Sequence, residues 1–147
     1  MSNVRTSAGS QLAVSISEPV TLNLAGYQAL SFTSVGEIVD MGELIVKYVI
    51  VNHNSLGKRL TVKRRGSYEV SNITLEMGRD GADAGQAILK AGVNQDKSYS
   101  FRMTLQDGSI SYFTAQIASF GTKVGSVDQI TGVMAELAID SDITPGA

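Results

Sequence analysis

One histidine, His53, sits in the turn-rich stretch Asn52-His-Asn-Ser-Leu-Gly57 and bounds the chemistry open to this chain. A single imidazole excludes a multi-histidine metal centre, and the lack of cysteine excludes thiolate ligands and disulfides. A nucleophilic triad would have to pair His53 with Ser55 or Ser67, and no strained glycine elbow surrounds either serine. A histidine of a turn or an interface is the better reading. Asp80 and Asp83 flank Gly81 in a way that hints at calcium, but such a loop needs more oxygen ligands and a closing glutamate. They read instead as the start of a helix. Gly78, Gly81 and Gly85 are not followed by the Gly-Lys-Ser/Thr of a phosphate loop. Asn72-Ile-Thr74 has the form of a glycosylation acceptor, which matters only to a secreted chain. No catalytic residue, metal site or cofactor is expected.

Charge is more informative than nucleophiles. Lys58, Arg59, Lys63, Arg64 and Arg65 hold five of the twelve cations, on a chain whose net charge is −2. Such a strip could bind phosphates. Single-strand binders, however, interleave aromatic platforms with their cations, and none is evident here. An acidic molecule with one basic strip can instead pair head to tail with its own copies.

These residues need elements to carry them. The chain has 147 residues, 43% of them hydrophobic and 18% charged, which fits one globular domain over 1–147. Fifteen glycines against two prolines favour a turn-rich, mostly β fold. No apolar run approaches the ~20 residues that span a bilayer, and residues 1–10 lack a signal peptide's core, so a soluble cytosolic product is expected. Residues 1–10 read as an arm, 11–34 as one or two short strands, and 141–147 as a tail with no packing signal. The β-branched run 43–53 predicts a strand covered on both faces. With the alternating segment 58–65 it forms an extended hairpin, tip 52–65, with a basic outer face.

A strand over 68–77 places Ile73, Leu75 and Met77 on one face. A helix follows, capped by Asp83, with Gln86 completing a capping box. Its apolar stripe is Ala84, Ala87, Ile88 and Ala91, and Gly92 ends it. Residues 99–105 alternate as a half-buried strand, Asp107-Gly108 turns the chain into a strand over 110–119, and 120–126 reads as a loop. In the last strand Val133, Ala135, Leu137 and Ile139 share one face, opposed by Met134, Glu136 and Ala138.

In this order, residues 68–140 resemble the major tail tube protein of long-tailed bacteriophages. The likeness rests on Ile73-Thr-Leu75, Asp80 to Asp83, Ala84-Gly-Gln-Ala-Ile-Leu89, Tyr99 to Gln106, Asp107-Gly108, Tyr112-Phe113, Ile117-Ala-Ser-Phe-Gly121 and the closing strand. Residues 35–67 match more weakly, through Asp40, Gly42-Glu43-Leu44 and the hairpin. The resemblance implies a β-sandwich or partly open barrel with one short flanking helix, related to tubes of contractile tails and type VI secretion. It implies six-membered rings stacked into a virion tail tube. That tube would meet a tape measure protein, tail terminator and tail tip proteins, and DNA only in transit.

It also implies an acidic lumen that repels phosphates. The candidates are Glu37, Asp40, Glu43, Glu69 and Glu76. By the same analogy His53, Asn54, Lys58, Arg59, Lys63, Arg64 and Arg65 would contact neighbouring subunits. Two alternatives stay open: the tube of a contractile or type VI-like system, and a monomeric β-sandwich binding module.

Overall fold

The turn at Asp107-Gly108 builds the centre of the fold. Gly108 takes φ 90°, and Leu105 N–H donates to Ser109 O at 2.9 Å. The computed structural model describes Val4 and residues 6–146. Its elements in chain order are β1 (Gln11–Ser15), α1 (Leu24–Gln28), β2 (Thr33–Val35), β3 (Ile38–Asp40), β4 (Val46–His53) and β5 (Val62–Val70). There follow β6 (Ile73–Gly78), α2 (Ala84–Gly92), β7 (Tyr99–Thr104), β8 (Ile110–Lys123), β9 (Gly132–Ile139) and β10 (Thr144–Pro145).

One sheet runs β2-β1-β7-β8-β9-β6-β3, with β10 also on β8. The first half of β8 pairs with β7 and the second half with β9, with an irregularity between Ile117 and Ser119. A bulge bends its strand, so β8 can turn the corner between two layers. Both halves of the sheet feed one core: Leu12, Val14, Phe101 and Phe113 from one, Leu75 and Leu137 from the other, all essentially inaccessible. On the opposite side β2 and β3 are joined only by Gly36-Glu37, with Glu37 at φ 59°. The result is a β-sandwich, or a barrel closed there by the chain and not by strand pairing.

Helix α2 caps this core differently from its expected stripe. Ala84, Ala87 and Ala91 are exposed, while Gly85, Gln86, Leu89 and Gly92 are buried. Close approach selects the glycines. A Cβ at Gly85 would lie 2.4 Å from Ser34 O, and one at Gly92 would lie 2.3 Å from the Ile117 side chain. Gly92 is therefore a packing residue at the last position of the helix, whose C-cap is Val93. Asp83 is the N-cap, accepting from Gln86 N–H at 2.9 Å. Gln86 does not complete a capping box. Its Nε2 donates to Gly36 O (3.1 Å) and Gly78 O (2.9 Å), and its Oε1 accepts from Asp80 N–H (3.1 Å). One buried amide thus ties the β2–β3 corner, the end of β6 and the helix start.

The flanking helix is not alone. Within 11–34, read above as strands, lies α1, capped by Asn23. This segment lies over β7 and β8: Tyr27 stacks on Tyr112 with ring centres 5.2 Å apart, Phe32 meets Tyr112 at 5.8 Å, and Arg102 sits over Phe32 at 5.1 Å. Ser100, on the polar side of the alternation, is fully buried and donates to Ser17 O at 2.7 Å.

The ends also differ from expectation. Strand β8 continues through 120–123, and the 141–146 segment packs along β8, Thr144 opposite Tyr112. Asp140 accepts from the hydroxyls of Ser98 and Thr114. The arm at 1–10 lies partly, and the tail at Ala147 wholly, outside the described residues.

Candidate assembly interface

Strands β4 and β5 pair only with each other, as a separate two-stranded sheet. The first surprise is β4. Its apolar run, predicted to be covered on both faces, is exposed at every position. The second is β5, which starts at Val62 and runs through Gly66-Ser67 to Val70, so the hairpin spans 46–70 around a tip at 54–61. Glycine at a strand interior often marks a bulge, and the pairing register does shift there, between Tyr48 and Ile50.

Register assigns the faces. Val46, Tyr48, Ile50 and Asn52 lie opposite Val70, Tyr68, Arg65 and Lys63 on one face; Lys47, Val51 and His53 lie opposite Glu69, Arg64 and Val62 on the other. The five cations are therefore not one basic strip. Lys63 and Arg65 share the first face, Arg64 takes the second, and Lys58 and Arg59 lie in the tip. Arg65 sits over the Tyr48 ring at 4.6 Å, and Tyr48 meets Tyr68 at 5.0 Å. These aromatics were separated in sequence by the tip, so their pairing with Arg65 was missed; β4–β5 register was the signal that could have found it.

At the hairpin root, Ser71 N–H donates to Ile45 O at 2.8 Å, and the Tyr68 hydroxyl donates to Asp142 Oδ1 at 2.5 Å. The Asp142 carboxylate, by this bond and its charge, raises the Tyr68 pKa. His53 and Asn54 are exposed at the end of β4, and Ser55 Oγ accepts from Gly57 N–H at 3.2 Å.

The acidic candidates divide. Asp40 lies opposite Glu76 across β3–β6, and both line a surface groove with Glu43. Glu136, missed above although it was placed on the polar side of the last strand, joins this face opposite Thr74 and accepts from Asn72 Nδ2 at 3.2 Å. Glu69 stands apart on the hairpin, and Glu37 at the β2–β3 corner. Among the described residues no group of three or more histidines or carboxylates is placed to hold a metal ion. No described helix is long and apolar enough to cross a membrane.

No family model and no curated protein matches the sequence. Solved structures do match, across the whole chain. A chain of the anti-feeding prophage baseplate superposes with a TM-score of 0.73 at 10% identity, covering 99% of this chain and 97% of its own. A chain of the sheath/tube terminator of an extracellular contractile injection system, PVC, gives 0.68 at 11% identity, with 99% of each chain covered. One from the PVC sheath-tube complex gives 0.63 at 12%, covering 94% and 88%. At such identities the likeness is one of fold, and the fold is one found in the tube-bearing assemblies of contractile injection systems.

Proposed function

We propose that this chain is a structural, non-catalytic subunit that assembles with its own copies into stacked hexameric rings, forming a hollow tail tube. The observation that carries this is the 46–70 hairpin. Val49, Ile50 and Val51 are each more than half exposed, on strands that pair with no other strand among the described residues. An exposed apolar strand pair with open edges is an aggregation hazard unless a specific partner completes it. Identical neighbours supply that partner at every position of a ring, which a monomeric binding module does not.

Two settings fit the subunit. The pattern of 68–140 favours the tail tube of a long-tailed phage, a virion conduit for DNA that also meets tape measure, terminator and tip proteins. The full-length fold neighbours come from contractile assemblies, which supports a contractile or type VI-like tube at least as well. In either, the face bearing Asp40, Glu43, Glu76 and Glu136 is the candidate channel lining, where carboxylates keep polyanions from adhering. Negative-stain microscopy and light scattering of the purified chain test the proposal. Six-fold rings or tubes are expected; a monomer persisting to millimolar concentration overturns it.

A further inference from the structure

The hairpin leaves the sandwich at a root held in two places. The first is a pivot: Val70 is buried, and Ser71 N–H donates to Ile45 O at 2.8 Å. The second is the hydrogen bond from the Tyr68 hydroxyl to Asp142. Among the described residues it is the only side-chain hydrogen bond between β4 or β5 and the rest of the chain. Beside it lies an open cleft of ≈ 440 Å³, bordered by Leu22, Tyr68, Val70, Ile139 and Asp142. Close packing therefore does not fix the hairpin's angle at this point.

Asp142 reaches Tyr68 because the chain after β9 runs on along β8 past a bulge. Ile139 pairs with Ala115 and Thr144 with Tyr112, so four residues, 140–143, lie against two, 113–114. Extra residues of this kind re-aim a side chain. The base of the bulge is pinned. Asp140 N–H donates to Thr114 O at 3.1 Å, Thr114 N–H donates to Ser141 Oγ at 2.9 Å, and the Asp140 carboxylate accepts from the Ser98 and Thr114 hydroxyls. Tyr68 is placed from the other side, its ring against Tyr48 at 5.0 Å with Arg65 over Tyr48 at 4.6 Å. The bond that joins them, 2.5 Å long, has the length of a charge-assisted one.

We infer that the 140–143 bulge is a latch that aims the hairpin: with Tyr68 bound to Asp142 the hairpin holds one angle to the sandwich, and without that bond it swings about Val70 and Ser71. Two fixed points define a direction, and the geometry multiplies its loss. Tyr68 lies two residues from Val70 and the far end of β5, Val62, lies eight, so a displacement at the latch grows about fourfold along the strand. The latch is a property of the single chain and does not rest on the tube proposal. It bears on that proposal because a hairpin already aimed has less freedom to lose when a neighbour binds.

The cysteine-free chain allows a direct test. Spin labels at His53→Cys, on the end of β4, and Ala87→Cys, on the exposed side of α2, report hairpin against sandwich. Pulsed electron resonance reads their separation at a concentration where light scattering shows single chains. The parent should give one narrow distribution, and Tyr68→Phe and Asp142→Ala should each widen it by about twofold or more. Asp142→Asn should keep it narrow, because the amide oxygen still accepts from the Tyr68 hydroxyl. A second pair, Ala87→Cys with Gln116→Cys on β8, should stay narrow in every variant. Unchanged hairpin distances in Tyr68→Phe and Asp142→Ala overturn the latch, as does a parent that is already broad. Widening of the Ala87 and Gln116 pair in those variants overturns it too, since the bond would then hold the sandwich and not aim the hairpin.

Discussion

Strands β7 and β4 exchange the fates their sequences foretell. β7, Tyr99-Ser-Phe-Arg-Met-Thr104, alternates as a strand with one wet face should, yet Ser100 is as buried as Phe101. β4 is a nearly unbroken apolar run, as a doubly covered strand should be, yet water reaches all of it. Periodicity reports how many faces of a strand are apolar; it does not report what lies over them. The 16–32 segment covers the outer face of β7, whereas nothing among the described residues covers β4. For β7 the cover is intramolecular. For β4 the proposed assembly assigns it to a neighbouring copy.

Truncation on the two strands should separate these cases. Phe101→Ala, on β7 and stacked on Phe113 at 5.4 Å, should cost about 3–5 kcal/mol in chemical unfolding. Ile50→Ala, more than half exposed on β4, should stay within about 0.5 kcal/mol in the unassembled chain. It should nevertheless weaken assembly in light scattering. Equal destabilisation by both would abolish the contrast.

The cover over β7 can be lifted alone. Tyr27→Ala removes a ring stacked on Tyr112 and should cost about 3 kcal/mol, with faster amide exchange along 110–115. Gln86→Ala should follow at about 2 kcal/mol, since it strands two carbonyls and one N–H that the amide now satisfies.

The smallest effect is on pH dependence. Burial raises the Tyr27 pKa above its ordinary 10.0, so the fold favours the protonated hydroxyl. Its contribution is complete below pH 10.0 and falls away as pH climbs through the raised value. Tyr68, raised by Asp142, acts in the same direction. Melting temperature should drop as pH rises above 10.0 in the parent, and by less in Tyr27→Phe. An identical alkaline slope in both would remove Tyr27 from the account.

The sequence was legible wherever a short stretch of backbone decides the outcome. Asp83 caps α2, Asp107-Gly108 turns β7 into β8, and Val133, Ala135 and Leu137 face inward, each following from neighbours within a few residues. It misled where a residue answers to something far along the chain. Gln86 looks like a capping-box partner, but its Oε1 accepts from Asp80 N–H and its Nε2 donates to the Gly36 carbonyl, fifty positions away. Ala84, Ala87 and Ala91 look like a buried stripe, but the buried side is Gly85, Gln86, Leu89 and Gly92, where close approach leaves no room for a Cβ at either glycine.

For the candidate interface the division is similar. The basic cluster and its hairpin could be read directly, because turn residues and a β-branched run lie side by side. Its partition between two faces and a tip depends on cross-strand register, shifted once at Gly66-Ser67. The gathering of Asp40, Glu43, Glu76 and Glu136 depends on β3, β6 and β9 lying side by side, strands drawn from distant parts of the chain. Local pattern thus determined the Asp83 cap, the Asp107-Gly108 turn and the inward face of β9, though not α1 or the far end of β8, since each of the former is fixed by dihedral preference and side-chain period. Only the tertiary structure decided which faces stay dry, because burial depends on what the rest of the chain brings to each surface.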